Sequence, residues 1–214
     1  DMATLIDRLK AASKVEGVSI LTDSKFFTKK DMIQTPVPMI NVALSGSLDG
    51  GLIPGHTMLA GPSKHFKTSF ALLMASPQAY FESFGIDTDR VLHTPITNIE
   101  TLKFDMAHQL DNLTRGEKVI IIIDSIGNIA SKKEVEDALG ENTAADMTRA
   151  KQLKSLFRIV SPHLPMKDIP MLTINHTYKE QKMHPRDIVS GGTGAYYSAD
   201  NIWIIGRQQD KVGT

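Results

Sequence analysis

The chain has no cysteine among its 214 residues. This absence excludes a disulfide framework and thiolate metal sites, and it fits a reducing compartment. The chain also lacks an excess of either charge, because 24 lysines and arginines balance 24 aspartates and glutamates. Any nucleic-acid partner must therefore be held by local basic patches rather than by the field of the whole protein.

Long apolar runs are missing as well. No stretch approaches the roughly 18 residues that a membrane-spanning helix needs, and the N-terminus lacks the charged-then-apolar pattern of a signal peptide. We therefore expect an intracellular protein with no membrane partner. Hydrophobic residues still make up 41% of the chain, which is enough for one substantial core.

The stretch GPSKHFKTS follows the apolar residues 57–60 directly and runs into a helix-like segment, 69–74. Such a corner suits a nucleoside triphosphate, because backbone N–H groups can surround the β-phosphate, Lys67 can reach the β/γ oxygens and Thr68 can bind Mg²⁺. Phe66 replaces the second glycine of the usual pattern, so an ordinary strand–turn–helix corner stays open. The candidate nucleotide-binding residues are Gly61, Pro62, Ser63, Lys64, His65, Phe66, Lys67, Thr68 and Ser69.

An acidic residue, Asp124, follows five consecutive β-branched residues, 119–123. The run predicts a strand buried on both faces of a parallel sheet, and such sheets bind ligands at the carboxyl ends of their strands. Alone, Asp124 would serve equally well as a strand-end cap. Together with the loop it predicts a metal site, with Thr68 and Asp124 as the Mg²⁺ ligands.

Alternating patterns predict an α/β fold with a mostly parallel central sheet flanked by helices. We expect strands at 57–60, 91–94, 119–124, 170–176 and 198–206, and helices at 69–74, 99–113 and 146–160. Residues 75–90 carry no strand pattern, so we expect a strand and its loop to be omitted between about Ala75 and Pro77.

Residues 1–38 are predicted to form a short amphipathic helix and a linker, and residues 39–214 the core. The helix docks on its own core or on a neighbouring subunit.

Four polar features leave alternatives open. Arg149 lies at the edge of the apolar face of the predicted helix 146–160, where either its stem extends along the surface or its charge is held towards a ligand. His176, at the end of a strand, is either a structural histidine or a catalytic one. The long segment 177–193 has no periodic pattern and is either functional or disordered, and the polar segment 131–142 reads as a solvated helix end and loop.

In this order, these pieces resemble the signatures of the RecA-type recombinases, most closely those of a phage member. The similar segments cover nearly the whole chain and are LSGSLDGGL (44–52), GPSKHFKT (61–68), IDSIGNIASKK (123–133), DMTRAK (146–151), KSLFR (154–158), INHTY (174–178) and GGTG (191–194). Even Phe66 is similar to the phage version of the loop.

The resemblance implies roles for single residues. Lys67 and Thr68 match phosphate and Mg²⁺ ligands, Asp124 matches the acidic residue, and Tyr80 matches the aromatic residue that stacks on adenine, so ATP and Mg²⁺ are the implied cofactors. His176 falls where relatives carry a polar residue that senses the γ-phosphate, and it joins Lys67 and Asp124 in the implied catalytic set. The two DNA-binding loops of the family fall at about 136–146 and 177–193. The implied DNA-binding residues are Arg149, Lys179, Lys182, Arg186, Gly191, Gly192, Thr193 and Gly194.

As a whole, the resemblance implies a DNA-dependent ATPase with a RecA-like core that forms a helical filament on single-stranded DNA. It would exchange strands with homologous double-stranded DNA in recombination, repair and recombination-dependent replication, in the cytoplasm of a phage-infected bacterium. A nucleotide-gated assembly or mediator protein, or a hexameric helicase domain, is the alternative. The sequence leaves open which accessory partners, such as a single-strand-binding protein and a loading mediator, take part.

The chain departs from the family pattern in two places. The family's catalytic glutamate ends the second core strand, which we expect to be missing near 75–77. Glu82 does not replace it, because Glu82 precedes Gly85 on the following helix. The family also has strands beyond the position of Gly206 whose basic residues reach a neighbour's ATP, so we expect the chain to be truncated.

Overall fold

The computed structural model describes residues 2–15, 18–24, 31–64, 66–75, 90–140, 147–179, 187–190, 194, 196 and 198–206. The chain divides into two compact units, Asp1–Asp31 and Met32–Thr214. In the first unit, helix α1 (Met2–Ala12) confirms the predicted N-terminal helix, and a 3-10 turn follows at Leu21–Asp23. The docking partner of α1 stays a prediction. Within the described ranges, no helix is long and apolar enough to cross a membrane.

Among the described residues of the second unit, five strands form one sheet: β2, β3, β1 and β5 lie side by side in that order, and β4 pairs with the far end of β3. The strands are β1 (Gly55–Gly61), β2 (Ile121–Ile123), β3 (Pro170–Lys179), β4 (Asp187–Val189) and β5 (Asn201–Ile204). Strands β2, β3, β1 and β5 pair in parallel, and β4 is antiparallel to β3. The carboxyl ends of the parallel strands therefore meet at one edge of the sheet.

Helices flank this sheet, and local signals explain where several of them begin and end. They are α2 (Pro38–Ser45), α3 (Lys67–Ala75), α4 (Ile99–Asn112), α5 (Lys132–Leu139), α6 (Thr148–Val160) and α7 (His163–Lys167). Asn98 caps α4 by accepting a hydrogen bond from the Thr101 amide at 2.8 Å. Ser131 and Glu134 form a reciprocal capping box at the start of α5.

Both faces of the sheet are covered by apolar side chains. One cluster joins the sheet to α4 and α6, and the other joins it to α2 and α3. Met58 belongs to the first cluster and its neighbour Leu59 to the second, because successive residues of a strand point to opposite faces. The predicted α/β class with a mostly parallel, helix-flanked sheet is confirmed, and it is consistent with a RecA-like core.

Two details of the predicted sheet are wrong. Residues 91–94 form no strand: Val91 and Leu92 are 53% and 77% exposed and pair with no strand in the described part of the chain. Strand β2 was expected to be buried on both faces, but Ile122 is 40% exposed. The described sheet gives β2 one neighbour, β3, so its burial is incomplete. The expected omission near 75–77 falls mostly outside the described residues.

One titratable side chain, His56, lies inside the core on β1 and is 1% exposed. Its Nε2 shares a hydrogen bond of 2.7 Å with Thr173 Oγ1, and its Nδ1 lies 3.4 Å from Ser198 Oγ. The ring stacks on Phe157 with centroids 4.9 Å apart. Burial lowers the pKa of His56 from 6.5 to about 4, because the core disfavours the charged imidazolium.

Candidate functional site

The candidate site lies at the carboxyl edge of the sheet, where three chain segments emerge side by side. Strand β1 leads through residues 62–66 into α3, which opens with Lys67 and Thr68. Asp124 follows the last residue of β2, and His176 lies opposite Gly61 in the pairing of β3 with β1. The topology thus brings together residues from three distant parts of the sequence.

Lys67 is nearly enclosed, with 7% of its surface exposed. Its Nζ donates a hydrogen bond of 2.7 Å to the Pro62 carbonyl, which holds the ammonium back towards the β1–α3 loop. Burial lowers the pKa of Lys67, while the nearby Asp124 carboxylate opposes this shift. An ammonium has three N–H donors, so two directions are available for an anion.

Thr68 and Asp124 are in direct contact. The Thr68 hydroxyl donates to Asp124 Oδ2 at 2.8 Å, and both residues are exposed. Hydroxyl and carboxylate oxygens are suitable ligands for Mg²⁺, which usually keeps several waters and takes one or two protein ligands beside phosphate oxygens. Among the described residues, no group of three or more His, Cys, Asp and Glu side chains could hold a metal by itself. The pair therefore suits a metal shared with a phosphate-bearing ligand.

The loop backbone takes conformations that L-residues seldom adopt. Lys64 has φ 63° and Phe66 has φ 56°, both in the left-handed region that favours glycine. The Cβ of Phe66 was the main objection to a nucleotide-binding loop, yet Phe66 adopts that conformation and is 74% exposed as a residue. The Phe66 carbonyl accepts a hydrogen bond of 3.0 Å from the Phe70 amide and so joins the first turn of α3.

His176 belongs electrostatically to the same site. Burial is the largest cause that lowers the pKa of His176. The Lys67 ammonium lowers this pKa further, and the Asp124 carboxylate raises it. Within the described residues, the buried Nδ1 has no hydrogen-bond partner. The lowered pKa favours the neutral imidazole beside a cation and an anion. Its Nδ1 can still form a hydrogen bond with a ligand or water.

Three of the eight predicted DNA-binding residues, Arg149, Lys179 and Gly194, lie in the described part of the chain. Arg149 donates to the carbonyls of Ile129, Gly127 and Ile126 at 2.9, 3.0 and 3.1 Å. Lys179 forms an ion pair of 2.8 Å with Asp187, and Gly194 packs closely on Lys154. The site residues that lie outside the described part of the chain are His65, Tyr80, Lys182, Arg186, Gly191, Gly192 and Thr193.

Sequence reasoning missed two residues beside the site. Asn175 is 1% exposed and uses both ends of its amide in hydrogen bonds, while Gly127 fits against it where no side chain has room. Asn175 stood out only as a polar residue at the end of an apolar strand, which was a weak signal. Nothing local marked Gly127, because its close neighbours are distant in the sequence.

Comparison with known proteins shows that the chain is similar to a phage protein. No protein-family profile matches it. All of the chain aligns, at 48% identity over 233 residues, with a "Recombination and repair protein" of Enterobacteria phage T4. The chain is thus similar throughout its own length to a phage recombination and repair protein, and it spans 60% of that protein's length.

Proposed function

We propose that this chain is the ATPase core of a RecA-type DNA recombinase, closest to the phage UvsX recombinases. It would bind ATP between protomers of a filament on single-stranded DNA, pair that strand with a homologous duplex and exchange strands. The observation that carries the proposal is the convergence of Lys67, Thr68 and Asp124 at the carboxyl edge of a parallel sheet. The 48% identity to a recombination and repair protein supports the recombination and repair role.

Each residue of the site has a role in this proposal. Lys67 binds the β/γ-phosphate oxygens and stabilises the charge that develops on them during hydrolysis. Thr68 and Asp124 hold Mg²⁺, and their present hydrogen bond keeps the two ligand oxygens close together. When bound, Mg²⁺ neutralises part of the phosphate charge. His176, neutral at pH 7, offers a hydrogen bond to the γ-phosphate or to the attacking water.

The end of β3 supports a DNA-binding role for the residues that follow it. Strand β3 continues past His176 to Lys179, and this last part of β3 pairs with β4 in the antiparallel direction, next to the nucleotide edge of the sheet. We propose that Lys179, Lys182 and Arg186 bind DNA phosphates, together with residues of the segment 191–194. Lys179 would exchange its ion pair with Asp187 for a phosphate, since an exposed ion pair contributes little stability.

The metal part of the proposal is tested by Asp124→Asn, which keeps the shape of the side chain but removes its charge. We expect ATP hydrolysis to fall at low Mg²⁺ and to recover at high Mg²⁺, because the amide is a weaker ligand for a hard cation. Lys118→Ala, an exposed change before β2 at the opposite edge of the sheet, is the control and should leave the Mg²⁺ dependence as it is. Equal Mg²⁺ dependence in Asp124→Asn and the wild type would refute this assignment.

The activity itself is tested by joint-molecule formation between a circular single strand and a homologous linear duplex, with ATP and Mg²⁺ present. A recombinase forms joint molecules. A mediator or a helicase domain would bind or move along DNA without forming them, so an ATP-dependent DNA complex without joint molecules would replace the proposed function by one of these alternatives.

A further inference from the structure

Phe66 lies where the candidate phosphate loop turns into helix α3. Its carbonyl accepts the hydrogen bond of 3.0 Å from the Phe70 amide, so this carbonyl already belongs to the helix, although φ 56° is not a right-handed helical value. Residue 66 is therefore the N-cap of α3, which begins at Lys67. The residues preferred at an N-cap are serine, threonine, asparagine, aspartate and glycine, so phenylalanine is an unfavourable choice for the loop itself.

The side chain of Phe66 does not compete for the amides at the start of α3. A hydroxyl, amide or carboxylate side chain at an N-cap accepts hydrogen bonds from the first amides of the helix, whereas a phenyl ring has no such acceptor. These amides therefore stay suited to an anion, which the dipole of the helix also favours. In the proposed function that anion is a phosphate group of the nucleotide.

The loop conformation has an energetic cost at two residues. Lys64 has φ 63° and Phe66 has φ 56°, and in this region the Cβ of an L-residue lies too close to a neighbouring carbonyl oxygen. Glycine avoids the cost because it has no Cβ. Packing does little to offset it, since both residues are exposed, and within the described part of the chain Phe66 belongs to neither apolar cluster of the core.

A contact across the loop joins its two ends. Lys67 Nζ donates to the Pro62 carbonyl at 2.7 Å, and burial lowers the pKa of Lys67, so its enclosed position is unfavourable to the charge. A phosphate group would give Lys67 a charged partner in place of a neutral carbonyl, and it would accept from the amides of α3 as well. An anion therefore stabilises this loop conformation more strongly than the exposed side chains of the loop do.

We propose that Phe66 is a positioning residue that sets how tightly the loop binds a nucleotide. Its Cβ raises the energy of the phosphate-binding conformation, so the ligand-free loop adopts that conformation only part of the time and the nucleotide selects it. The apparent affinity is then reduced by the fraction of molecules whose loop is competent to bind. The inference rests on the proposed function, because it needs a nucleotide at this loop. With glycine at position 66, ADP would bind more tightly and leave more slowly.

Two substitutions at the same position isolate the effect of the Cβ. Phe66→Ala removes the ring and keeps the Cβ, whereas Phe66→Gly removes both, so any effect of losing the ring is common to the two variants. Gly116→Ala is the matched control, because Gly116 has φ 102° and open space where a Cβ would lie. It adds a Cβ to left-handed backbone in the turn before β2, at the opposite edge of the sheet.

The measurement is the dissociation constant of ADP and of a non-hydrolysable ATP analogue, each with Mg²⁺. Phe66→Gly should bind both about 3- to 30-fold more tightly than Phe66→Ala. Its KM for ATP should be lower by a similar factor while kcat does not rise, because the loop conformation is the same in the bound ground state and in the transition state. Gly116→Ala should unfold at a lower temperature than the wild type and bind both nucleotides with wild-type affinity.

A merely structural role of Phe66 would change the unfolding temperatures of its two variants and leave their nucleotide affinities equal. Equal affinities of Phe66→Gly and Phe66→Ala therefore overturn the inference and leave the proposed function standing. Equally weakened binding by both variants would assign the effect to the ring and would overturn the inference too. Failure of the wild type to bind either nucleotide overturns the proposed function and the inference with it.

Hydrogen exchange of the wild-type protein tests the loop without a variant. The Phe70 amide, which donates to the Phe66 carbonyl, should exchange more slowly with the ATP analogue than without it. The Ser161 amide, which donates to the Phe157 carbonyl at the end of α6, is the control and should exchange equally in the two states. Equal exchange of the Phe70 amide in the two states would show that the loop is already fixed without a ligand, and the inference would be wrong.

Discussion

His56 and His176 stand at opposite ends of the same pair of neighbouring strands, and their surroundings differ. His56, on β1, is buried in the core, and both of its ring nitrogens have hydroxyl neighbours. His176, on β3, is half-buried at the carboxyl edge, and its Nδ1 finds no partner among the described residues. Burial lowers the pKa of both, but only His176 also responds to Lys67 and Asp124.

The difference between the two histidines distinguishes a region that stabilises the fold from a region that can bind ligands. At the amino end of the pair, the His56 ring has its polar neighbours inside the fold, so a change there should act on the free energy of unfolding. At the carboxyl edge, a cation, an anion and an imidazole are held close together with bonding capacity left over, so a change there should act on ligands. Four predictions test this separation, from the largest expected effect to the smallest.

Lys67→Ala should lower ATP hydrolysis by about 10²- to 10³-fold, because it removes a cation that stabilises the transition state. The thermal unfolding temperature should change little, since Lys67 has a single hydrogen bond within the described residues and its burial is unfavourable to its charge. The rate of phosphate release in the variant and in the Lys118→Ala control checks this. Normal ATP hydrolysis by Lys67→Ala would show that the carboxyl edge of the sheet is not the site of hydrolysis.

His56 should make stability depend on pH. The unfolded chain binds a proton near pH 6.5, whereas the folded chain binds it only near pH 4. The contribution of the neutral ring is therefore fully present above about pH 6.5 and is lost as the pH falls to about 4, a difference on the order of 3 kcal/mol.

Chemical denaturation at several pH values measures this effect, and His56→Gln should flatten the curve because glutamine does not titrate. ATP hydrolysis per folded molecule should not follow the same curve. A pH profile of stability that is equally steep in the wild type and in His56→Gln would show that other groups are responsible.

His176→Ala should bind both ATP and DNA but lose most of the coupling between them, which typically amounts to about 1–3 kcal/mol. The reason is that a hydrogen bond to the γ-phosphate exists with ATP and not with ADP. Single-strand affinity with a non-hydrolysable analogue and with ADP gives the coupling. If the ratio of affinities is the same in variant and wild type, His176 is a structural histidine like His56, and the comparison between them fails.

The smallest effect is expected from three basic residues between positions 179 and 186. Neutralising Lys179, Lys182 and Arg186 together should weaken binding to all single strands and flatten the salt dependence of the affinity by roughly 2 in log–log slope, about 0.7 for each phosphate that the protein no longer neutralises. Titrations at several salt concentrations measure the slope, and Lys118→Ala is again the control. An unchanged slope would place DNA binding elsewhere.

Several elements could be predicted from the sequence because their signals are local. Helix α4 has its apolar residues at helical spacing and its cap at Asn98, so short-range contacts are sufficient to define it. The order of the strand, loop and helix around Lys67 was likewise correct. Residues 91–94 and β2 show the limit of prediction from local sequence, since both have strand-like sequences. Whether a strand forms, and how far it is buried, depends on pairing with a neighbouring strand.

By itself the sequence determined the α/β class, the main helices and the residue types that could meet a nucleotide. Only the tertiary structure decided that Thr68 and Asp124 touch, that Arg149 is bound to backbone carbonyls, and that Asn175 lies between Gly127 and Ser190. Periodicity and caps depend on residues three or four positions apart. Contacts between distant segments depend on sheet order and on close packing, which a local pattern does not contain.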